Sequence, residues 1–209
     1  MSKDMIYNDL MDMMSDDECP ICRLIAHRTN KRISHVLTGC VTNPDSRERF
    51  LDAEGFCKHH GDQVLRKGRP LSHAILYESL IEEKKKSLDK KRSPKTCELC
   101  ELEHKNEKNY LHYFPRLLKE EAFFKRYEEE GMLCMHHLEA CLASMRKKSA
   151  LRERLKHTTL TKYDTLQSHL REIRRKRDYK AAHEKWTEEE RRAWKKAVRM
   201  TTDQGDYRR

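Results

Sequence analysis

The sequence is poor in the residues that turn or stiffen a chain. Among its 209 residues there are 6 glycines and 5 prolines, which is too few for the turns of an all-β sandwich or barrel. Hydrophobic residues make up 36% of the chain, whereas soluble domains typically contain about 45–50%. We therefore expect a thin hydrophobic core that needs an additional source of stability.

Long apolar segments are also missing. No run of about 18 apolar residues occurs, so a transmembrane helix is not expected. The N-terminal segment MSKDMIYNDLMDMMSDDE is acidic and lacks the apolar centre of a secretory signal. These features predict a cytoplasmic protein with no membrane partner. In that compartment thiols stay reduced, and paired cysteines more often bind metal than form disulfides.

Cysteine and histidine are abundant, at 8 and 12 residues. Cys19-Pro-Ile-Cys22 is followed after 34 residues by Cys57-Lys-His-His60. Cys97-Glu-Leu-Cys100 is followed after 33 residues by Cys134-Met-His-His137. This matched spacing predicts the duplication of one helical metal-binding unit.

Thiolate and imidazole are the ligands that suit tetrahedral zinc. We expect each half to close its own site through two helices that leave the ion and return to it. The predicted ligands are Cys19, Cys22, Cys57 and His60 in the first half and Cys97, Cys100, Cys134 and His137 in the second. Two zinc ions per chain are thus expected. Four protein ligands on each ion leave no open position, so the pattern favours a non-enzymatic protein.

Several alternatives stay open at this point. His59 and His136 compete with the next histidine in each Cys-x-His-His motif, although helical spacing favours His60 and His137. The two halves can also exchange ligand pairs, and an iron–sulfur cluster is the main rival to zinc. Cys40 and Cys141 lie outside the pattern and are interpreted as core cysteines, with a spare ligand or redox thiol as the alternative.

The apolar residues recur at three- and four-residue spacing, which predicts an all-α fold. The expected divisions are a first Cys3His unit at 1–90, a second at 91–148 and a basic helical extension at 149–209 that packs on the units.

Local signals refine this fold. Asp45 is expected to cap a short helix, and Gly55 and Gly131 are expected to end helices. A helix is predicted at roughly 71–90, a charged linker at 84–95, and a long helix in two pieces near 149–177. A last helix is predicted at roughly 187–200, starting from a Thr187-x-x-Glu190 capping box.

Residues 146–209 contain 21 Lys and Arg but only 10 Asp and Glu, so they hold the entire positive excess of the chain. The densest cationic cluster, a candidate surface for nucleic acid, consists of Arg171, Arg174, Arg175, Lys176 and Arg177. The same charge can instead cover a solvated helix or dock on the acidic N-terminal segment. Tyr179, Trp186 and Trp194 are expected to anchor the tail on the core.

The chain resembles an uncharacterised family of bacterial and archaeal proteins, described as a domain of unknown function. The resemblance rests on CPIC, GFCKHH, CELC and LCMHH, and on a closing signature with Asp178-Tyr179, His183-Glu184 and Glu190 to Val198. The sequence departs from the family in having Lys185 and Thr187 where proline and glycine are expected. The resemblance implies a tandem metal-binding helical protein and brings no known activity.

The leading hypothesis from the sequence is therefore a zinc-stabilised adaptor or regulatory protein that binds another macromolecule, with a protein as the expected partner. An iron–sulfur or metal-handling protein that uses the same ligands is the first alternative. Nucleic-acid binding through the basic 146–209 surface is the second.

Overall fold

The structure, a computed structural model, describes residues 3–15, 17–89, 96–181 and 183–202. Within these ranges every regular element is a helix and no strand is present, which confirms the all-α prediction. The described helices are α1 (Lys3–Met13), α2 (Pro20–Thr42), α3 (Pro44–Asp52), α4 (Lys58–Leu65), α5 (Pro70–Lys86), α6 (Glu98–Leu117), α7 (Glu121–Glu130), α8 (Met135–Ser144), α9 (Ala150–Arg175) and α10 (Glu188–Thr201). None of these helices is long and apolar enough to cross a bilayer.

The starts of two helices show how local chemistry sets their borders. α3 begins at Pro44, and the Asn43 side chain caps it by accepting a hydrogen bond of 2.8 Å from the backbone N–H of Asp45. The cap is therefore Asn43, two residues before the Asp45 that the sequence predicted. α10 has the predicted capping box, in which Thr187 and Glu190 each accept a backbone hydrogen bond from the other.

Two other borders differ from the prediction. α5 continues to Lys86, so the predicted linker 84–95 begins inside a helix, and residues 90–95 lie outside the described residues. α9 is one helix of 26 residues where two pieces were expected. Its sequence contains neither glycine nor proline, so no residue breaks its backbone hydrogen bonds.

The described chain forms two compact units. The central unit is Ile25–Glu107, and the terminal unit combines the described residues up to Leu24 with residues 108–202. Both borders between the units fall inside helices. α2 begins in the terminal unit and ends in the central unit, and α6 begins in the central unit and ends in the terminal unit. This division differs from the contiguous ranges 1–90, 91–148 and 149–209 that the repeat predicts.

The central unit has a core of residues from α2 to α6. Phe50 of α3 is one of its members, and its ring centroid lies 5.1 Å from that of Phe56 and 5.6 Å from that of Tyr77. The buried members of this core are Ile33, Val36, Leu37, Cys40, Phe50, Val64, Leu76, Leu80, Cys97 and Leu99. The core thus includes Cys97, one of the predicted metal ligands, and Cys57 and Cys100 pack against it.

The terminal unit has an aromatic core. Phe114 contacts Phe123 and Tyr127, with ring centroids 5.5 and 5.8 Å apart. α10 packs on α8 and α9, and Arg199 and Arg192 form ion pairs of 2.8 and 3.9 Å with Glu18 and Asp17. The basic tail therefore docks on the acidic N-terminal segment, one of the roles that the sequence left open for it.

Candidate metal centres

Site 1 lies in the terminal unit, where the N-terminus of α2 meets the N-terminus of α8. Cys19 directly precedes α2 and Cys22 lies in its first turn, whereas Cys134 is the N-cap of α8 and His137 lies in its first turn. His137 Nδ1 lies 3.4, 3.3 and 3.1 Å from the sulfur atoms of Cys19, Cys22 and Cys134, respectively. The Cys22 and Cys134 sulfurs are 3.8 Å apart. Three thiols and one imidazole nitrogen therefore converge on one point.

Site 2 repeats this arrangement in the central unit, between the N-termini of α4 and α6. Its members are Cys57, His60, Cys97 and Cys100. His60 Nδ1 lies 3.2, 3.6 and 3.4 Å from the sulfurs of Cys57, Cys97 and Cys100, and the Cys57 and Cys100 sulfurs are 3.6 Å apart. In each site all four ligand atoms lie within 4.8 Å of one another.

All eight predicted ligand residues thus reach a Cys3His group, but the predicted pairing within each half is wrong. Each Cys-x-x-Cys pair meets the Cys-x-x-His pair of the other half, which is the exchange that the sequence left open. The reason is the unequal length of the two helices in each spacer. α2 has 23 residues and α3 only 9, or about 34 and 14 Å at 1.5 Å per residue, so the second helix cannot return the chain to its start.

The structure also distinguishes the neighbouring histidines. His60 and His137 are buried and present Nδ1 to the thiols. The preceding residue of each pair, His59 or His136, is not in a four-residue group. His59 Nε2 instead lies 2.8 Å from the side-chain nitrogen of Gln63, one turn further along α4. Since a helix advances about 100° per residue, adjacent side chains leave it in different directions, and only the second histidine of each pair joins the three thiols.

The carboxylate of Glu103 contacts the histidine of site 2. His60 Nε2, on the opposite side of the ring from the thiols, lies 3.2 Å from Glu103 Oε1. The Thr29 hydroxyl donates a hydrogen bond of 3.0 Å to the same oxygen. Metal-binding histidines commonly have such a partner, which fixes the ring orientation and its tautomer. No sequence motif marks Glu103 or Thr29, so sequence reasoning missed both.

The pKa values of the site 2 residues are shifted because several ionisable groups lie close together in a buried place. Burial opposes ionisation of Cys97, but hydrogen bonds from His60 and from backbone amides lower its pKa to about 6. Burial and the neighbouring charge of Cys97 raise the pKa of Cys100. Burial also disfavours the charged form of His60, yet its hydrogen bonds to Cys97 and Glu103 raise its pKa to about 10. A divalent cation would relieve this conflict, because it stabilises several thiolates at once.

In site 1, too, the pKa of one cysteine is lowered and that of another is raised. Hydrogen bonds from the Cys19 and Cys22 thiols lower the pKa of Cys134. The hydrogen bond between Cys22 and Cys134 raises the pKa of Cys22. Thiol hydrogen bonds therefore favour one thiolate in site 1, whereas His60 and backbone amides favour one thiolate in site 2. All eight cysteines of the chain are free thiols, so none of these groups is closed by a disulfide.

The distances fit a single tetrahedral ion. Zinc bonds of about 2.3 Å to sulfur and about 2.0 Å to nitrogen place tetrahedral ligand atoms about 3.8 Å (sulfur to sulfur) and about 3.5 Å (sulfur to nitrogen) apart. The corresponding distances here are 3.6–3.8 Å and 3.1–3.6 Å. Both groups can therefore hold a metal ion with little rearrangement.

The C-terminal helices support the loop that carries Cys134. Tyr163 of α9 donates a hydrogen bond of 3.1 Å to the carbonyl of Leu133 and lies 3.0 Å from the carbonyl of Met200 in α10. Lys162 Nζ donates one of 2.8 Å to the carbonyl of Gly131. These contacts connect the basic tail to site 1, and no motif in the sequence indicated them.

Cys40 and Cys141 lie outside both groups. Each is fully buried, and burial raises the pKa of each thiol. The Cys40 sulfur lies 3.3 Å from the carbonyl of Leu37. Their surroundings agree with the interpretation of both as core cysteines.

The predicted nucleic-acid residues have different environments. Arg175 pairs with Glu172 and Glu184 at 2.9 and 2.5 Å. Lys176 is enclosed, and both oxygens of Glu190 accept hydrogen bonds of 2.8 Å from it. Arg171, Arg174 and Arg177 are exposed. Two of the five cations are therefore engaged in intramolecular ion pairs.

The aromatic residues of the tail correct another expectation. Tyr179 is 82% exposed and Trp194 is 52% exposed. The prediction that Tyr179 and Trp194 anchor the tail on the core is therefore wrong, whereas Trp186, the third residue of that prediction, is partly buried. The tail is held instead by buried Ala193 and Met200 and by the hydrogen bonds of Tyr163.

The fold and the sites define an all-helical protein with two Cys3His groups that can bind metal. Comparison with known proteins agrees with the resemblance to an uncharacterised family, because residues 1–96 match the model of a family of unknown function (DUF6062). This range contains Cys19, Cys22, Cys57 and His60.

The chain is also similar to a protein of Caldicellulosiruptor sp. (strain Rt8B.4), described as "Uncharacterized 23.9 kDa protein in xynA 3'region". The two are 29% identical over 198 residues, which cover 90% of this chain and 97% of the relative. No solved structure matches the chain.

Proposed function

We propose that this protein is a zinc-stabilised helical adaptor or regulator, which binds another macromolecule and catalyses no reaction. The observation that carries the proposal is the convergence of three thiols and one imidazole nitrogen in each of two sites, at tetrahedral distances. Four protein ligands complete the coordination of zinc, as in structural sites, whereas catalytic zinc keeps a position for water or substrate.

Burial supports a structural role for both ions. Cys19, Cys134 and His137 of site 1 are each at most 3% exposed, as is His60 of site 2. Each site joins helix ends that are distant in sequence, so an ion there would stabilise tertiary structure. The low hydrophobic content of the chain makes such a contribution important, because metal-binding free energy becomes folding free energy when the site forms only on folding.

The compactness of the sites supports one ion each over an iron–sulfur cluster. A cluster distributes its cysteine ligands over several iron atoms, which requires wider separation than a single ion does. Here all four ligand atoms of each site lie within 4.8 Å of one another. Cysteine and histidine together also match the ligand preference of zinc.

The adaptor part of the proposal is supported by the outer face of α10. Trp194 and Val198 lie one turn apart and are 52% and 58% exposed. Aromatic residues are enriched at protein interfaces, where they supply much of the binding energy. We therefore favour a protein partner that contacts this face.

Metal analysis of protein purified without oxygen tests the proposal. We expect about two zinc ions per chain and no visible absorption, and substitution by cobalt should give the intense visible bands of tetrahedral thiolate coordination. Iron with acid-labile sulfide and a brown colour would contradict it and favour a redox or metal-handling protein. If the metal content agrees, capture of partners by wild type and by Trp194→Ala tests the adaptor role, and identical sets of partners would exclude this face.

A further inference from the structure

A basic cleft lies on the terminal unit, where α9 ends and the following loop begins. It is a shallow, solvent-open depression of about 570 Å³, lined by Arg171, Arg174, Arg175, Asp178, Lys180 and Ala181. The cleft is separate from site 1 and uses none of the metal ligands. It lies in the C-terminal segment that holds the positive excess of the chain.

The cations of the cleft differ in how much charge they offer to a ligand. Arg175 is largely neutralised by Glu172 and Glu184. Arg171 donates one hydrogen bond of 2.9 Å to the side chain of Gln167. Because Gln167 is neutral, this contact does not offset the positive charge of Arg171. Arg174 and Lys180 are exposed.

One carboxylate also lines the cleft. Asp178 Oδ1 accepts a hydrogen bond of 3.0 Å from the backbone N–H of Lys180. Arg171, Arg174 and Lys180 therefore leave a positive balance over Asp178. The cleft can attract a polyanion, but charge alone does not define which one.

An exposed aromatic ring beside the cleft indicates which class of polyanion it binds. Tyr179 lies between two cleft residues in the chain and is 82% exposed. Lys180 Nζ lies 5.6 Å from the centroid of its ring. Proteins that bind single strands combine a cationic groove for the backbone with aromatic rings on which bases stack.

We propose that this cleft binds a single-stranded nucleic acid. Arg171, Arg174 and Lys180 contact its phosphates, and the Tyr179 ring stacks on a base. A single strand fits better than a duplex because its bases are free to stack on a side chain. The surface overlaps the cationic cluster of the sequence, but it excludes Lys176 and Arg177 and adds Tyr179 and Lys180.

Fluorescence anisotropy with the full, metal-loaded chain tests this proposal. The probes are a fluorescein-labelled mixed-sequence DNA strand of about 12 nucleotides, within the range that one binding module covers, the RNA strand of the same sequence, and the DNA duplex. We expect at least one single strand to bind more tightly than the duplex. The preferred strand then identifies DNA or RNA as the ligand.

Two variants separate stacking from charge. Tyr179→Ala should weaken binding by about fivefold or more, whereas Tyr179→Phe, which keeps the ring, should bind like wild type. Arg171→Gln/Arg174→Gln should weaken binding and reduce the slope of log K against log salt by about 1.4, since each single-strand phosphate contact contributes about 0.7. The matched control is Lys105→Gln/Lys108→Gln, which removes the same charge from exposed positions of α6.

Three outcomes would overturn the proposal. The first is the absence of single-strand binding by the wild type at low salt. The second is an equal loss in the cleft variant and the α6 control, which would indicate unspecific attraction of polyanions. The third is an unchanged affinity in Tyr179→Ala together with equally effective competition by polyglutamate, which would favour an acidic protein segment.

Discussion

The sulfur atoms of Cys22 and Cys134 lie 3.8 Å apart although the two residues are separated by 112 positions in the sequence. The corresponding contact of site 2, between Cys57 and Cys100, spans 43 positions at 3.6 Å. Each site is therefore completed by both sequence halves. A chain in which either half is missing or unfolded would lack a full ligand set at both sites.

Double variants distinguish the crossed sites from the pairing within each half. Cys22→Ser/Cys134→Ser removes two ligands of one site, so metal content should fall from about two ions per chain to about one. Cys22→Ser/Cys57→Ser removes one ligand from each site and should affect both ions. Metal content by mass spectrometry, followed during titration with a chelator, makes the comparison.

The same pair of variants supplies its own control, since each removes two thiols. Pairing within each half would reverse the two results, with loss of a single ion in Cys22→Ser/Cys57→Ser. Cys40→Ser removes a buried thiol outside both sites and should leave the metal content at about two ions.

The sequence was sufficient to predict the helical fold and the eight clustered Cys and His residues, because both depend on short-range patterns. Apolar residues at three- and four-residue spacing predict a helix, and a Cys-x-x-Cys pair predicts two metal ligands on one turn of the backbone. It could not establish the pairing of the motifs, since that depends on how far α2 and α3 carry the chain. The ends of these helices depend on caps such as Asn43, which shift by a residue or two without changing the pattern.

The two glycines of the repeat show another limit. Both precede a Cys-x-x-His motif and were predicted to end helices, but their physical roles differ. Gly55 adopts a left-handed conformation with φ +85°, whereas Gly131 is the C-cap of α7 with φ −96°. A Cβ would be crowded at both, 2.7 Å from Leu80 Cδ2 at Gly55 and 2.5 Å from Tyr127 Cδ2 at Gly131, so Gly131 is set by space alone and Gly55 by space and its positive φ.

Substitution of Glu103 tests whether its carboxylate orients the His60 ring for metal binding. Glu103→Ala removes the carboxylate 3.2 Å from His60 Nε2, so zinc affinity at this site should fall by about 10- to 100-fold. Glu103→Gln, which retains an acceptor oxygen, should lose less. Competition with a zinc-binding dye measures the affinity of each variant.

The matched control for this prediction is Glu101→Gln, an exposed acidic residue on the same helix. It should bind zinc like the wild type. Equal affinity of Glu103→Ala and the wild type would show that the carboxylate does not position His60. A loss that affects both sites equally would instead indicate general destabilisation.

Tyr163 tests the connection between the C-terminal helices and site 1. Tyr163→Phe removes the hydroxyl that lies 3.1 Å from the Leu133 carbonyl and 3.0 Å from the Met200 carbonyl. The free energy of unfolding should fall by about 1 kcal/mol, and zinc should leave site 1 faster because the loop before Cys134 is held less firmly. Denaturant unfolding and chelator kinetics measure the two effects, with Tyr179→Phe as an exposed tyrosine control. Unchanged stability and release in Tyr163→Phe would exclude this support.

The enclosed ion pair between Lys176 and Glu190 predicts a pH dependence. The hydrogen bond from Lys176 lowers the pKa of the Glu190 carboxyl, and the Thr187 backbone N–H lowers it further. A group whose pKa is lower in the folded state stabilises the fold above its unfolded pKa, about 4.3 for Glu. That stabilisation disappears as the pH falls through the folded-state value.

Glu190→Gln should therefore be less stable than the wild type at pH 7, and the difference should shrink as the pH falls below about 4.3. Urea unfolding at a series of pH values measures this difference. Acid also releases metal from thiolates, but that loss is common to both proteins and cancels in the comparison. Asp164→Asn is the control, since Asp164 is an exposed carboxylate of α9. A difference between wild type and Glu190→Gln that stays constant from pH 7 to pH 3 would mean that the pair with Lys176 does not stabilise the tail through its charge.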